Sequence, residues 1–272
     1  MEVGITPLGS GSRGNAFVIS SGNQALLIDA GFSRKELISR MDSVGVSPES
    51  IGAILLTHEH HDHINGCRVF ADSHSIPVCA TWKTAEYLRK KKGDKLPKNM
   101  PEVVSGTVFD ICGFRVSPFS VRHDAIDPVG FVIGRGSVKV GVATDIGSID
   151  NLARQRLSDC DALLLEANYD MNMLRNSPRS LMLKRRIMGK NGHLNNVDAM
   201  NAITELITDR TKVAFMVHLS SECNCPKIVH EMVQKTLKEA GREELPFHVV
   251  EQNRPMPTVA IKGTAASSSS AA

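Results

Sequence analysis

Aromatic side chains are scarce in this sequence: they make up 4% of its 272 residues, with a single Trp and two Tyr. Long apolar runs are also missing, and none reaches the roughly 18–20 residues that a membrane-spanning helix needs. The first residues lack a basic segment followed by an apolar one, so we expect no secretory signal there. We therefore expect a protein without a membrane span, located in the cytoplasm.

The six cysteines include no Cys-x-x-Cys pair. With no secretory signal expected, this pattern favours reduced thiols over a disulfide framework. Cys223 and Cys225 are separated by one residue and could form a soft metal pair, although a loop with two ordinary thiols is the simpler interpretation.

Two β-rich blocks alternate with helical patterns along the chain, which predicts an α/β (α+β) fold with four αββα layers. No linker-like change of composition interrupts residues 1–263, and we expect them to form one domain. Residues 264–272 are small and polar and include four consecutive serines. We expect this segment to be a disordered or appended tail.

Four possible metal ligands lie within six residues: His58, His60, Asp62 and His63. They sit in mid-chain, after an apolar segment that is predicted to be a strand ending at Thr57, so an affinity tag or a solvated loop is a poor explanation. Imidazole and carboxylate ligands suit Zn²⁺, Mn²⁺ or Fe²⁺. Four donors on one loop cannot complete two coordination shells, and further ligands must come from elsewhere.

Single polar donors follow three other predicted strands. His123, Asp145 and His218 each interrupt an apolar run at its carboxyl end. A lone histidine after a strand is more often a surface residue than a ligand. The cluster at residues 58–63 makes a ligand role the better interpretation for all three.

This order of donors resembles the ligand order of the metallo-β-lactamase superfamily, over a stretch from Gly9 to about Ile261. Asp rather than Cys at position 145 resembles the ribonuclease Z branch. Five further segments resemble one subfamily, the YycJ/WalJ-type hydrolases: Leu8–Asn15, His123–Ala125, Glu166–Asp170, Gly192–Asn196 and His218–Ser220.

The resemblance implies a four-layer αββα metallo-β-lactamase sandwich that binds two divalent metal ions, Zn or Mn, with Fe as a further option. It implies one metal held by His58, His60 and His123, and the other by Asp62, His63 and His218. It also implies that Asp145 bridges both, with a water or hydroxide between them, as in other two-metal hydrolytic sites.

Four residues gain further roles from the same resemblance. Asp29, at the end of a predicted strand, would orient metal-bound histidines, although a strand-end Asp that caps a turn is the alternative. Asp62 could also accept a proton from the attacking water. His193 would lie near the substrate and protonate the leaving oxygen, with Glu166 raising its pKa. The alternative for His193 is an ordinary residue at the start of a helix.

A Gly/Ser-rich loop with one cation follows the first predicted strand and could offer backbone N–H groups to a phosphate. A plain hairpin turn is the alternative. The candidate substrate contacts are Ser10, Ser12, Arg13, Asn15 and Asn168.

The formal net charge of +3 neither requires nor excludes a nucleic-acid partner, so local clusters must decide. Such clusters are often solvated faces, but beside a metal site they could follow a phosphate backbone. Scarce aromatic residues disfavour base reading by stacking, which points to sequence-independent binding. The first cluster is Arg89, Lys90, Lys91, Lys92, Lys95 and Lys98, and the second is Arg179, Lys184, Arg185, Arg186 and Lys190.

These features favour a dinuclear-metal hydrolase, and within that class a phosphodiesterase or exonuclease. The YycJ/WalJ-type resemblance implies DNA as the substrate, with 5′ to 3′ polarity as one option. The ligand spacing leaves no room for the extra domain of ribonuclease J, and no ribonuclease Z-like arm is seen. A small-molecule hydrolase acting on a lactone, a thioester or weakly on a β-lactam is the alternative. A complete set of seven donors disfavours a non-catalytic binding protein, and the oligomeric state stays open.

Overall fold

The computed structural model describes residues 1–93 and 96–263, so the predicted tail at 264–272 and Lys95 lie outside the described residues. The strands are β1 (Glu2–Gly9), β2 (Ala16–Ser21), β3 (Gln24–Ile28), β4 (Ile51–Leu55), β5 (Val78–Thr81), β6 (Glu102–Val103), β7 (Phe109–Ile111), β8 (Phe114–Ser120), β9 (Val129–Arg135), β10 (Val138–Ala143), β11 (Ala162–Glu166), β12 (Val213–Val217), β13 (Phe247–Val249) and β14 (Val259–Lys262). The helices are α1 (Arg34–Ser43), α2 (His61–Ile64), α3 (Cys67–His74), α4 (Trp82–Lys92), α5 (Asn151–Leu157), α6 (Met171–Asn176), α7 (Leu181–Met188), α8 (Asn196–Leu206) and α9 (Pro226–Glu239).

These strands form two mixed sheets, and each sheet has seven strands within the described residues. The first has the order β14-β1-β2-β3-β4-β5-β6, and the second has the order β13-β12-β11-β10-β9-β8-β7. Parallel pairing runs from β3 through β6 in the first sheet and from β10 through β13 in the second. The carboxyl ends of parallel strands meet at one edge of a sheet, so residues that follow them are brought together.

Apolar side chains fill three layers, which explains why the two sheets stack. Phe17, Phe131 and Phe215 are fully buried in the core between the sheets. A second core, which includes Phe70, packs helices on the outer face of the first sheet, and a third, which includes Ile203, does so on the second. The predicted α/β sandwich with four αββα layers is confirmed.

Helix starts follow local capping chemistry. Ser33 accepts a hydrogen bond from Glu36 N at the start of α1, as its position before the helical pattern predicts. Thr81 caps α4 in the same way, and it is also the last residue of β5. Among the described helices, none combines the length and the apolar character needed to cross a membrane.

Candidate metal centre

The segment from His58 to His63 leaves the carboxyl end of β4 and turns into the short helix α2. His58 and His63 are buried, whereas His61 is exposed. This turn keeps His61 away from the other histidines, in line with its exclusion from the predicted ligands.

The structure brings the seven predicted ligands into overlapping groups. One donor atom from each of His58, His60 and His123 lies within 4.8 Å of the others, and the same holds for Asp62, His63 and His218. Asp145 forms such a group with His58 and His63 on one side, and with Glu166, His193 and His218 on the other. Both predicted triads are therefore assembled, with Asp145 between them.

Four of these histidines are fixed through Nδ1 by another part of the protein. Nδ1 lies 2.7 Å from Asp29 Oδ2 in His63, 3.0 Å from the Gly192 carbonyl in His123, 3.0 Å from Glu166 Oε1 in His218 and 3.0 Å from Thr57 Oγ1 in His58. Metal-binding histidines are usually oriented in this way, through the ring nitrogen that does not bind the metal. In each of these four rings, Nε2 is therefore the nitrogen available to bind a metal ion.

The unpartnered polar atoms at the centre test whether a metal fits. Within the described part of the chain, His58 Nε2 is buried and has no hydrogen-bond partner. His60 presents Nδ1 instead of Nε2, at 3.2 Å from His123 Nε2. A buried nitrogen without a hydrogen-bond partner, such as His58 Nε2, destabilises the fold unless something binds it. Three converging imidazoles fit a divalent metal ion and leave open positions for a substrate.

The charges at the centre also suit a cation. Burial lowers the pKa of His218, but Asp145, Asp62 and Glu166 outweigh it and raise this pKa to about 10. Burial raises the pKa of Asp145, but the neighbouring His218 and His63 hold it well below its usual range. The buried carboxylates thus stabilise positive charge strongly, as a divalent metal site requires.

Asp29 and Thr57 form hydrogen bonds with each other and with the histidines His63 and His58. Asp29 is fully buried, and its Oδ1 accepts a hydrogen bond from Thr57 N at 2.8 Å. Thr57 Oγ1 lies 2.8 Å from Asp29 Oδ2 and 3.0 Å from His58 Nδ1. Asp29 also has a φ of 57°, a strained conformation for a non-glycine residue, and such strain is often found at functional sites.

Three predicted substrate contacts are bonded to the ligands. Ser10 Oγ accepts a hydrogen bond from His218 N at 2.8 Å, and Asn15 Nδ2 lies 3.2 Å from Asp62 Oδ2. Asn168 Nδ2 donates to the His218 carbonyl at 2.8 Å. All three residues are buried, and their side chains contact residues of the centre. Substrate contact by Ser10, Asn15 and Asn168 stays a prediction.

Two further residues of the Gly/Ser loop are exposed, and their substrate role stays a prediction. Ser12 and Arg13 both lie on the surface, and the loop is held from beneath by Gln252, whose Oε1 accepts a hydrogen bond from Arg13 N at 2.8 Å. Gln252 was not identified from the sequence, since it lies 239 positions away from Arg13 along the chain.

His193 lies beside the two triads, and its predicted contact with Glu166 is present. His193 Nδ1 is 2.7 Å from Glu166 Oε1, while Glu166 Oε2 accepts hydrogen bonds from the backbone of Ile146 and Leu194. Burial lowers the pKa of His193, but Glu166 and Asp145 outweigh it and raise this pKa. Because Nδ1 faces Glu166, Nε2 is the ring nitrogen that a substrate could meet.

Glu166 is fully buried and holds two histidines at once. Its Oε1 lies 2.7 Å from His193 Nδ1 and 3.0 Å from His218 Nδ1. It acts on the site through these two rings, and its role is to position them.

A cavity of about 170 Å³ opens beside this centre. Its floor contains His60 and His193, and its outer wall is formed by Arg179 and by residues of α7. Arg179 and Arg186 of the second basic cluster therefore lie at the candidate site. The first cluster falls on and after α4, where Lys90 pairs with Glu86 on the same helix.

Glu59 lies between predicted ligands in the sequence but is not one of them. In the structure its side chain holds a neighbouring loop. Its Oε1 accepts a hydrogen bond from Ile126 N at 2.9 Å, so it fixes the loop that follows His123. Neither this contact nor the one made by Thr57 has a sequence signal, because each depends on a partner chosen by the fold.

Comparison with known proteins independently supports the predicted family. The model of the beta-lactamase superfamily domain matches residues 24–219. The chain is 32% identical to an exodeoxyribonuclease YycJ of Bacillus anthracis over 242 residues, covering 89% of this chain and 91% of the relative. It is 27% identical to a ribonuclease Z of Mycobacterium bovis over 195 residues, covering 59% of this chain and 68% of the relative.

A solved structure shows the same architecture. The metallo-beta-lactamase fold protein YhfI from Bacillus subtilis aligns over 94% of this chain and 99% of its own, with a TM-score of 0.70 and 16% identity. The predicted resemblance is confirmed: this chain belongs to the beta-lactamase superfamily and is a hydrolase of the metallo-β-lactamase fold.

Proposed function

We propose that this chain is a two-metal phosphodiesterase that removes nucleotides from the end of DNA, with 5′ to 3′ polarity. The observation that carries the proposal is the pair of donor triads, with Asp145 close to members of both. The similarity to an exodeoxyribonuclease supports DNA as the substrate, and the basic residues around the cavity supply the charge that a phosphate backbone needs.

The residues divide the chemistry between them. His58, His60 and His123 would hold one divalent ion, and Asp62, His63 and His218 the other, with Asp145 between them. When bound, two divalent ions neutralise charge on the phosphate and make water a nucleophile at neutral pH. Zn or Mn fits this set of imidazole and carboxylate donors, and Fe is a further option.

Two proton transfers are assigned to the chain itself. Asp62 is partly exposed and lies at the centre, where it would accept a proton from the attacking water. His193, kept charged by Glu166, would donate its Nε2 proton to the sugar oxygen as the P–O bond breaks. Glu166 keeps the ring of His193 turned toward that oxygen.

The same proposal treats residues 1–263 as one domain. His58 follows a strand of the first sheet, whereas His123, Asp145 and His218 follow strands of the second. Neither sheet carries a complete triad, which supports one folding and functional unit.

The test is cleavage of end-labelled DNA and RNA, single- and double-stranded, in the presence of Mn²⁺ or Zn²⁺. We expect stepwise shortening of DNA, and labels placed at either end report the polarity. Asp62→Ala should abolish cleavage, and activity that survives this substitution would come from a contaminant. Faster turnover of a lactone or nitrocefin than of DNA would instead identify a small-molecule hydrolase.

A further inference from the structure

Helix α7 contributes residues to the wall of the cavity and exposes large apolar side chains at its start. Leu181 is 72% exposed and Met182 is 82% exposed, although both are large and apolar. Leu183 and Arg186 of the same helix line the cavity together with His193. Neighbouring exposed apolar residues beside a functional cavity indicate a surface that contacts something else.

Arginine side chains lie on the same helix and just before it. Arg186 pairs with Asp124, and Arg179 pairs with Glu222 at 3.0 Å, so both guanidinium groups are held at the cavity. Arg185 is exposed on the same helix. A surface that combines fixed cations with an apolar patch complements a chain that combines phosphates with apolar base faces.

Leu181 and Met182 form an apolar patch that should bind paired and unpaired DNA strands differently. In a duplex the phosphates are accessible, but each base face is covered by its neighbours. Cations therefore serve both forms, whereas Leu181 and Met182 can contact base faces only where bases are unstacked. Flexible aliphatic side chains also accept any base, which suits a chain with few aromatic residues.

We propose that α7 binds the unpaired end of a DNA strand, with its arginines on phosphates and with Leu181 and Met182 on base faces. This inference rests on the proposed nuclease function and deepens it. It makes single-stranded DNA the preferred form at this surface, and it assigns that preference to the apolar patch and not to the charges.

Fluorescence anisotropy tests the proposal, with a labelled single strand and the matching duplex, in the full-length Asp62→Ala background so that the DNA is not cut. We expect Leu181→Ser together with Met182→Ser to weaken binding of the single strand by about tenfold and to leave duplex binding nearly unchanged. Arg185→Gln should weaken both forms alike and lower the slope of log Kd against log salt by about 0.7 for single strands.

Matched controls are Val69→Ser, an exposed valine on α3, and Lys235→Gln on α9. Neither helix contributes to the cavity wall within the described residues, and we expect both variants to bind as the background does. An equal loss on both DNA forms, or no loss, in the Leu181/Met182 variant would overturn the inference while the nuclease proposal stands. A wild-type chain that cuts no DNA would instead remove the proposed function itself.

Discussion

At the scale of single residues, a substitution of His193 tests proton donation separately from metal binding. It lies outside both predicted triads and is held by Glu166 at 2.7 Å. We expect His193→Ala to lower kcat on DNA by roughly 100- to 10,000-fold, the usual contribution of general acid catalysis, with bound metal unchanged. Metal analysis of the purified variant and single-turnover cleavage measure the two effects.

The leaving group provides a sharper readout for the same residue. A sugar oxygen needs a proton as it leaves, whereas p-nitrophenolate leaves readily without one. His193→Ala should therefore lose much more activity on DNA than on bis-p-nitrophenyl phosphate. His61→Ala, which changes an exposed histidine of the ligand segment, is the matched control and should keep both activities. Equal losses on both substrates would argue against a proton donor.

Asp29 tests how far a buried carboxylate supports a predicted ligand. Its Oδ2 lies 2.7 Å from His63 Nδ1, and its Oδ1 holds the backbone of Thr57. We expect Asp29→Asn to lower metal affinity by roughly 10- to 100-fold, because the ring of His63 loses its charged partner. Competition with a chromogenic chelator measures the affinity. Asp110→Asn, at an exposed strand position, should have the affinity of the wild type.

The predicted ligands could be read from the sequence because each follows an apolar strand. His123, Asp145 and His218 break such runs, and the fold then brings their strands to one edge. Ser10 and Asn15 are predicted substrate contacts because they belong to a Gly/Ser loop that could offer N–H groups to a phosphate. Their contacts with His218 and Asp62 span 208 and 47 positions, and no local pattern reports such distances.

At the scale of elements, strands formed by a continuous apolar run were predictable and short helices were not. Strand β11 (Ala162–Glu166) begins and ends where the apolar run predicts. Helices α5, α6 and α7 have 7, 6 and 8 residues, too short for a helical period to stand out. The basic cluster in the α7 region was visible in the sequence, but its place at the cavity depends on tertiary packing.

One glycine shows how closely the elements around the site approach. A Cβ on Gly31 would lie 1.7 Å from Asp62 O and 2.5 Å from Asn15 N. We expect Gly31→Ala to push the ligand segment outward, to weaken metal binding and to destabilise the fold by roughly 1–3 kcal/mol, the usual cost of overpacking. Isothermal titration with Zn²⁺ and urea unfolding measure these effects.

The control for Gly31→Ala is the same substitution at a glycine where a Cβ atom would meet no close contact. Gly134 lies in β9, and the nearest atom to a Cβ there is at 3.6 Å, an ordinary contact distance. Gly134→Ala should therefore bind metal as the wild type does. Wild-type metal binding by Gly31→Ala would show that the ligand segment tolerates displacement.

At the scale of the whole molecule, the centre lies between two sheets that also share an apolar core. His58, His60, Asp62 and His63 follow a strand of the first sheet, and the other predicted ligands follow strands of the second. A metal ion in either triad would therefore connect the two halves. The four-layer architecture was predictable from the alternation of elements, and the resemblance implied the role of Asp29 behind the histidines. The contacts that Thr57 and the Gly192 carbonyl make with His58 and His123 were not predicted.

Metal binding should consequently stabilise the whole fold. An ion that binds only the folded chain adds about 2.7 kcal/mol at a free concentration 100 times its Kd. For a chain of this size, that corresponds to a rise in Tm of roughly 5–10 °C. We expect this rise in chelator-treated protein after addition of Zn²⁺ or Mn²⁺, measured by calorimetry, with His61→Ala behaving like the wild type. Asp145→Asn should lose most of the rise, since this carboxylate lies between the triads and its negative charge supports both ions. An equal rise in Asp145→Asn would place the metal somewhere other than between the two sheets.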